Sequence, residues 1–183
     1  MDTSSRVLIA YATAAGSTQG IAERIADVLR SAGLTVVCGP AGPDLDPGTF
    51  DAVVVGSAVH SMAWLQPAVD LLNRIPPGPS PSLWCFSVGG VAHPERTRLS
   101  RWLAGNELTK IEQRFPEGRR PRGHRMFTGI VDLSYVPLWG RIFFRLTGGH
   151  SGDQRDWPAI EAWATEIANQ LNRVHAPAEG DRT

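Results

Sequence analysis

Residues Thr13 to Thr18, with the sequence Thr-Ala-Ala-Gly-Ser-Thr, have types and spacing suited to binding an anion. They follow the apolar run Val7 to Tyr11 and precede a helical pattern, so they form a loop at the start of a helix. Backbone N–H groups, hydroxyls and the helix dipole at such a position bind phosphate. The loop lacks the Gly-Lys-Ser/Thr ending of a Walker loop and the three spaced glycines of a dinucleotide turn. An ordinary turn capped by Ser17 or Thr18 is the alternative.

The other chemically versatile side chains are dispersed along the chain. The histidines show no metal-ligand spacing, so no metal site is predicted. Cys38 and Cys85 lie in separate apolar runs and are interpreted as buried thiols of a reducing cytosol. The formal net charge of zero gives no general attraction to nucleic acid. We expect a cytoplasmic location, because neither a signal-sequence pattern nor a bilayer-spanning apolar run is present in the sequence.

Strand-like apolar runs alternate with helical periodicity along the chain. This pattern predicts a single α/β domain over residues 1–175, followed by a disordered tail at 176–183. The predicted strands are 7–11, 34–38, 51–56, 82–88 and 126–133. The predicted helices are 21–33, 65–75, 97–103, 106–115 and 157–174. Right-handed crossovers then give a doubly wound, five-stranded parallel sheet with strand order 2-1-3-4-5.

Three loops meet at the carboxyl edge of such a sheet, beside its topological switch point. They are Thr13–Thr18, Ser57–Trp64 and Ser87–His93. In position and residue type they resemble the loops with which flavodoxins hold FMN, whose phosphate loop has the spacing Thr-x-x-Gly-x-Thr. The resemblance implies a flavodoxin-like fold in which the first loop binds the FMN phosphate and the other two bracket the isoalloxazine ring. The implied cofactor-binding residues are Thr13, Ala14, Ala15, Gly16, Ser17, Thr18, Ser57, Ala58, Val59, His60, Ser87, Val88, Gly89 and Gly90.

Individual roles follow from the same resemblance. His60 falls where an aromatic side chain commonly stacks on the flavin, and as a catalytic residue its positive charge would stabilise a reduced, anionic flavin. Alternatively, His60 is a loop residue exposed to water. Gly89 and Gly90 let the backbone approach the flavin edge and donate N–H bonds to its pyrimidine oxygens, or they are plain turn glycines. Trp64 either shields the ring or belongs to the core.

A narrower resemblance extends over residues 7–171. Phe86-Ser87-Val88, a following basic stretch, and the segment 129–149 ending in Leu-Thr-Gly-Gly are similar to the menaquinone-dependent protoporphyrinogen IX dehydrogenases. These flavodoxin-like FMN enzymes of heme synthesis carry a late aromatic and basic insertion, here at about 133–150. The resemblance implies oxidation of protoporphyrinogen IX or a similar hydrophobic donor, with a quinone as acceptor. The chain departs from that family in a shorter segment after the insertion and in arginines rather than lysines within it.

Two segments bear on the choice of partner. An arginine-rich run that includes Arg120 and Arg122 suits porphyrin propionates or anionic lipid, or it is a solvated loop. The segment Tyr135–Leu146, if helical, groups Trp139 and Phe143 on one side. That composition suits a peripheral contact with the inner face of the membrane, a homodimer contact or the lid of a hydrophobic pocket. Packing onto the domain's own core is the alternative.

Three classes of function remain open. The first is an FMN oxidoreductase that passes electrons from a small-molecule donor to a quinone. The second is a flavodoxin-type electron carrier between proteins. Such carriers are usually strongly acidic, so a net charge of zero favours the enzyme. The third is an interaction domain without cofactor, against which the intact hydroxyl-rich loop argues. Nucleic acid is not an expected partner, because the arginine run lacks an accompanying stacking motif.

Overall fold

The structure is a computed structural model that describes residues 4–60, 63–89, 108–131 and 152–175. The strands are β1 (Arg6–Ala12), β2 (Thr35–Pro40), β3 (Ala52–His60), β4 (Ala63–Trp64), β5 (Ser82–Val88), β6 (Gly123–Phe127), β7 (Ile130–Val131) and β8 (Gly152–Asp153). The helices are α1 (Ser17–Ser31), α2 (Gln66–Arg74), α3 (108–112) and α4 (Trp157–His175), with a short 3-10 turn at Pro47–Thr49. The predicted helix at 97–103, the tail at 176–183 and the predicted insertion at about 133–150 lie outside the described residues.

The main sheet has the order β2-β1-β3-β5-β6, and every neighbouring pair along it is parallel. The two-residue strand β4 stands apart, since it pairs antiparallel with the end of β3. Counting only the parallel strands, this is the predicted order 2-1-3-4-5, which is therefore confirmed. The central strands are mostly apolar and buried, as expected for a parallel sheet whose faces are both covered by helices.

The core consists of two layers, one on each face of the sheet. Along β1, Val7 and Ile9 pack with α1 and α4, whereas Leu8 and Ala10 pack with α2. This division follows from the two-residue period of a strand, which sends successive side chains to opposite faces. Helix α1 ends before Gly33, whose φ of 86° supplies the left-handed conformation of a helix stop.

Several predicted boundaries are wrong. The third strand runs on past Gly56 to His60, because β4 folds back and pairs with its last residues. The fifth strand is Gly123–Phe127 rather than 126–133, because it pairs with β5 from Trp84 onward. Its first residues, Gly-His-Arg, carry no apolar pattern, and the neighbouring strand decides their conformation. Cys38, on the edge strand β2, is half-buried rather than buried, whereas Cys85 is buried as predicted.

A small two-stranded ribbon follows the main sheet. After β6 the chain leaves the main sheet and forms β7, which pairs antiparallel with β8. Ile130 lies opposite Asp153, and Val131 opposite Gly152. The two ends of the chain segment between β7 and β8 are therefore held side by side.

Gly56 provides a test of this packing. A Cβ at Gly56 would overlap the ring of Phe86, whose side chain is completely buried. We expect Gly56→Ala to lower the free energy of unfolding by about 1–3 kcal/mol, as overpacked cores do. Gly39→Ala is the matched control, because a Cβ there meets no atom within 4 Å among the described residues. Chemical denaturation of both variants measures the difference, and equal stabilities would contradict the packing described.

Candidate functional site

The three predicted loops start from one row of the sheet. Ala12 lies opposite Ser57, and Ser57 lies opposite Ser87, in parallel register. Because the carboxyl ends of these strands are level, the first loop, the hairpin of β3 with β4, and the residue after β5 adjoin one another. The structure thus brings together the described parts of the three segments that the sequence singles out.

The first loop presents open backbone amides at the start of α1. Gly16 is the N-cap residue and has a φ of 84°, and its amide donates to Thr13 Oγ1 at 2.9 Å. No side chain caps the helix, so neither Ser17 nor Thr18 has the capping role of the alternative interpretation. The amide of Gly20 bonds to Gly16 O at 3.2 Å, which leaves the preceding helical amides without intrahelical acceptors. The loop is therefore an anion-binding cradle of the kind found at helix N-termini.

Thr18 supplies the most direct indication of a ligand. Its side chain is completely buried, yet its Oγ1 has no hydrogen-bond partner among the described residues. A buried hydroxyl left unpaired costs about 1–3 kcal/mol, so native proteins rarely retain one without a reason. A phosphate oxygen seated on the adjoining amides would accept this hydrogen bond. The residues present at this loop therefore fit a phosphate-bearing cofactor.

The hairpin formed by β3 and β4 makes the second wall of the site. His60 is exposed at the end of β3 and lies opposite Ala63, while Ala58 and Val59 are half-buried. Gly89 approaches the hairpin so closely that a Cβ there would lie 3.2 Å from Cβ of Val59. The glycine at this position is needed for that approach.

Two predicted ligand contacts need correction. The amide of Gly89 donates to Phe127 O at 3.1 Å, so it is not free to bind a pyrimidine oxygen as predicted. Val88 is only 3% exposed and packs in the core. Gly90 lies outside the described residues, so its predicted contact is not addressed.

Ser57 and Ser87 are also predicted to contact the cofactor, but both side chains are completely buried. Ser57 Oγ accepts a hydrogen bond from the amide of Leu65 and donates to Ala58 O, both at 2.9 Å. Its hydroxyl thereby joins the hairpin to the start of α2. The structure gives these two hydroxyls roles within the protein, one layer behind the surface that a cofactor would touch.

The hydroxyl of Ser87 belongs to a chain of hydrogen bonds that the sequence did not reveal. Trp64 Nε1 donates to Ser87 Oγ at 2.8 Å, and Ser87 Oγ lies 2.9 Å from His124 Nε2. His124 Nδ1 lies 2.9 Å from Glu112 Oε1. A carboxylate only accepts, so Nδ1 carries the imidazole hydrogen and Nε2 accepts from the hydroxyl of Ser87. The bonds therefore all run in one direction, from the hairpin to a partly exposed carboxylate.

This network is embedded among aromatic side chains. Trp64 is 7% exposed, so it belongs to the core rather than shielding a ligand, and it lies edge-on to His124. Phe115 stacks on the imidazole with ring centroids 5.6 Å apart. Burial lowers the pKa of His124 below its ordinary value, although its hydrogen bond to Glu112 opposes the shift. Nothing in the local sequence indicates the network, because its members come from four separate elements.

The chain beyond β6 closes one side of the site. A Cβ at Gly129 would lie 3.0 Å from Ser17 Oγ and 3.0 Å from a methyl group of Val88. The segment that leads into β7 therefore lies directly beside the first loop, Thr13–Thr18. Sequence spacing gave no indication of this contact between segments more than a hundred residues apart.

The arginines predicted to bind substrate are not at this site. The amide of Arg122 bonds to Leu83 O at the amino end of β5, five residues before Val88. At about 3.3 Å per residue, that separates them from the carboxyl edge by roughly 17 Å. Arg120 and Arg122 therefore lie at the opposite edge of the sheet from the three loops. Trp139 and Phe143 lie outside the described residues.

In the part of the chain that the structure describes, no helix is both long and apolar enough to cross a membrane.

Comparison with known proteins places these features in a family. The model of the family described as "Flavodoxin domain" matches residues 8–156. No curated protein sequence matches the chain significantly.

Solved structures resemble the fold over nearly the whole chain. A flavodoxin from the domain Archaea has 15% identity and a TM-score of 0.53, covering 91% of this chain and 99% of its own. Oxidised flavodoxin 1 from Bacillus cereus has 12% identity and a TM-score of 0.54, covering 90% and 98%. Rubredoxin oxygen:oxidoreductase from Desulfovibrio gigas has 20% identity and a TM-score of 0.54, covering 94% of this chain but 37% of its own. At these identities the likeness shows the fold.

The buried imidazole predicts a pH dependence of stability. Because the pKa of His124 is lowered in the folded protein, the unfolded chain takes up the proton first as the pH falls below about 6.5. The free energy of unfolding should thus be undiminished above that pH and decrease as the pH falls below it, by at most about 1.4 kcal/mol per pH unit for one proton. His124→Gln should flatten this slope, and the exposed His60→Gln is the matched control. Urea unfolding across this range measures both, and an unchanged slope in His124→Gln would contradict the assignment.

Proposed function

Since the chain belongs to the flavodoxin domain family, we propose that it is a flavoprotein that binds FMN at the carboxyl edge of its sheet. The observation that carries this proposal is the buried, unpartnered hydroxyl of Thr18 next to the open amides at the start of α1. A dianionic phosphate satisfies that hydroxyl and the amides together, and the helix dipole favours its charge.

Different described residues would hold the phosphate and the ring of FMN. The amides of Ser17 and Thr18, with the hydroxyl of Thr18, would hold the phosphate. The hairpin residues Ala58 to His60 would bound the ring on one side. When bound, FMN supplies hydride and single-electron transfer. The chain's own contribution is to orient the ring and exclude water, and the exposed imidazole of His60 at the end of the hairpin would lie beside the ring.

The proposed reaction is oxidation of protoporphyrinogen IX, or a similar hydrophobic donor, with a quinone as acceptor. The base of the insertion supports it, because the β7–β8 ribbon starts beside Ser17, next to the proposed cofactor. The sequence of the insertion is aromatic and basic, a composition that suits contact with a hydrophobic donor. The net charge of zero also suits a small-molecule donor better than docking on a basic protein.

A flavodoxin-type carrier of electrons between proteins is the second candidate. The flavodoxins with which the chain shares its fold support it, since the match covers nearly their full length. The two candidates share the cofactor and differ in whether a small molecule or a protein delivers the electrons.

Thr18→Val tests the cofactor. Valine keeps the shape of threonine and removes only the hydroxyl, which has no partner to lose in the apoprotein. We expect the stability of the apoprotein to be unchanged or higher. The affinity for FMN should fall by about 1.5–3 kcal/mol, roughly tenfold or more, the contribution of a hydrogen bond to a charged group. Fluorescence titration of the apoprotein with FMN measures this affinity.

The neighbouring exposed residue Gln19 supplies the control, since Gln19→Ala removes a polar side chain of the same turn that bonds to Glu23. Its affinity for FMN should match the wild type. If Thr18→Val binds FMN as tightly as the wild type, the phosphate lies elsewhere.

The reaction is tested by turnover of protoporphyrinogen IX with a menaquinone analogue. Trp139→Ala combined with Phe143→Ala should keep the flavin spectrum and lower turnover, because both substitutions fall in the insertion. Arg120→Glu combined with Arg122→Glu should leave turnover unchanged, since these residues lie at the opposite edge of the sheet. A wild-type protein that oxidises no porphyrinogen but passes electrons to a protein acceptor would establish the carrier instead.

A further inference from the structure

A cavity lies at the amino edge of the sheet, away from the proposed cofactor site. Its volume is about 170 Å³, and it opens between the loop before β5 and the turn before β6. Pro76 and Pro79 line one side, Leu83 lies at the start of β5, and Arg119, Arg120 and Arg122 line the other. A water in the liquid occupies about 30 Å³, so the cavity has room for about five waters or one small anion.

The charge of this cavity is one-sided. Three of its described lining residues are arginines, and no described lining residue is acidic. Guanidinium groups remain protonated in proteins and present paired N–H donors that match phosphate and carboxylate oxygens. Three such positive groups around one small space favour an anion among them.

The backbone holds two of these arginines in place. The amide of Arg122 donates to Leu83 O at 2.7 Å, and its guanidinium lies 5.8 Å from the centre of the buried Trp84 ring. The amide of Arg119 donates to Pro116 O at 3.1 Å, across a turn in which Gly118 has a φ of 77°. The backbone of both arginines is therefore fixed at the rim of the cavity, and the Trp84 ring orients the guanidinium of Arg122, which lowers the entropy lost on binding.

Arg119 carries an unsatisfied donor. Its Nε is buried and has no hydrogen-bond partner among the described residues. Since a guanidinium cannot lose its proton, this N–H group stays a donor at every physiological pH. A buried donor of a charged group without an acceptor is costly, and an oxyanion in the adjoining cavity would remove that cost.

We propose that this cavity is a binding site for the phosphate group of a small anion or lipid headgroup, separate from the cofactor site. The roughly 17 Å from Leu83 to Val88 along β5 lies between the two sites, so one ligand of this size cannot occupy both. The arginine run is thus a built oxyanion site, and it acts independently of electron transfer at the other edge of the sheet.

Calorimetric titration of the FMN-saturated protein with pyrophosphate tests the proposal, because FMN then blocks the phosphate loop. We expect saturable binding, at least tenfold weaker in Arg119→Gln and in Arg122→Gln. Arg125→Gln is the matched control from the same run. Its guanidinium lies 3.9 Å from Glu166 and outside the cavity, so its affinity should stay within twofold of the wild type. The arginine Nε–H signal that disappears in Arg119→Gln should shift downfield on titration.

Vesicles containing phosphatidic acid distinguish the two sources of the phosphate group. Binding that Arg119→Gln weakens and Arg125→Gln does not would assign a lipid headgroup, and pyrophosphate binding without vesicle binding would assign a free anion. The proposal is overturned if the wild type binds neither probe, or if all three variants weaken binding equally.

Failure to bind FMN would refute the proposed function alone. In that case pyrophosphate titration of Thr18→Val, whose phosphate loop is impaired, still tests this cavity.

Discussion

The parallel registers of β3 with both of its neighbours are the constraint on which the rest of the molecule depends. They set Ala12, Ser57 and Ser87 level with one another, and so determine where three loops leave the sheet. The registers depend on close packing, because Gly56 leaves the space that the ring of Phe86 occupies. A slip by one residue would turn every side chain of a strand to the opposite face. The geometry of the candidate site is therefore a consequence of packing at the centre of the sheet.

Polar groups at this edge form two layers. The outer layer is the start of α1, where backbone amides and the buried hydroxyl of Thr18 have no hydrogen-bond acceptor among the described residues. The inner layer satisfies its own groups, as Ser87 does between Trp64 and His124. Buried polar networks that are fully bonded make a structure rigid, whereas unpaired groups mark places where a ligand is expected. The contrast between Thr18 and Ser87 follows this rule, although both hydroxyls are completely buried.

The chain also separates its charges in space. The arginine run lies at the amino edge of the sheet, while the loop suited to the cofactor phosphate lies at the carboxyl edge. The insertion, by contrast, starts from a ribbon beside the carboxyl edge. In the linear sequence the arginine run precedes the insertion by about ten residues, which is why the two invite a common interpretation as one partner surface. Strand β6 runs between the arginine run and β7, so the two start from opposite edges of the sheet.

The sequence by itself determined the sheet and the phosphate-type loop. Continuous apolar runs such as Val53 to Val55 identify strands buried on both faces, and small hydroxyl residues before a helix identify an anion site, because each depends on residues close together in the chain. Only the tertiary structure decided which hydroxyls find partners within the protein, where the arginines lie and that His124 meets Glu112. Those outcomes depend on register and on contacts between distant elements, which leave no periodic signal in the sequence. The extension of β3 to His60 has the same origin, since its hydrogen bonds come from a strand that forms only when the chain turns back.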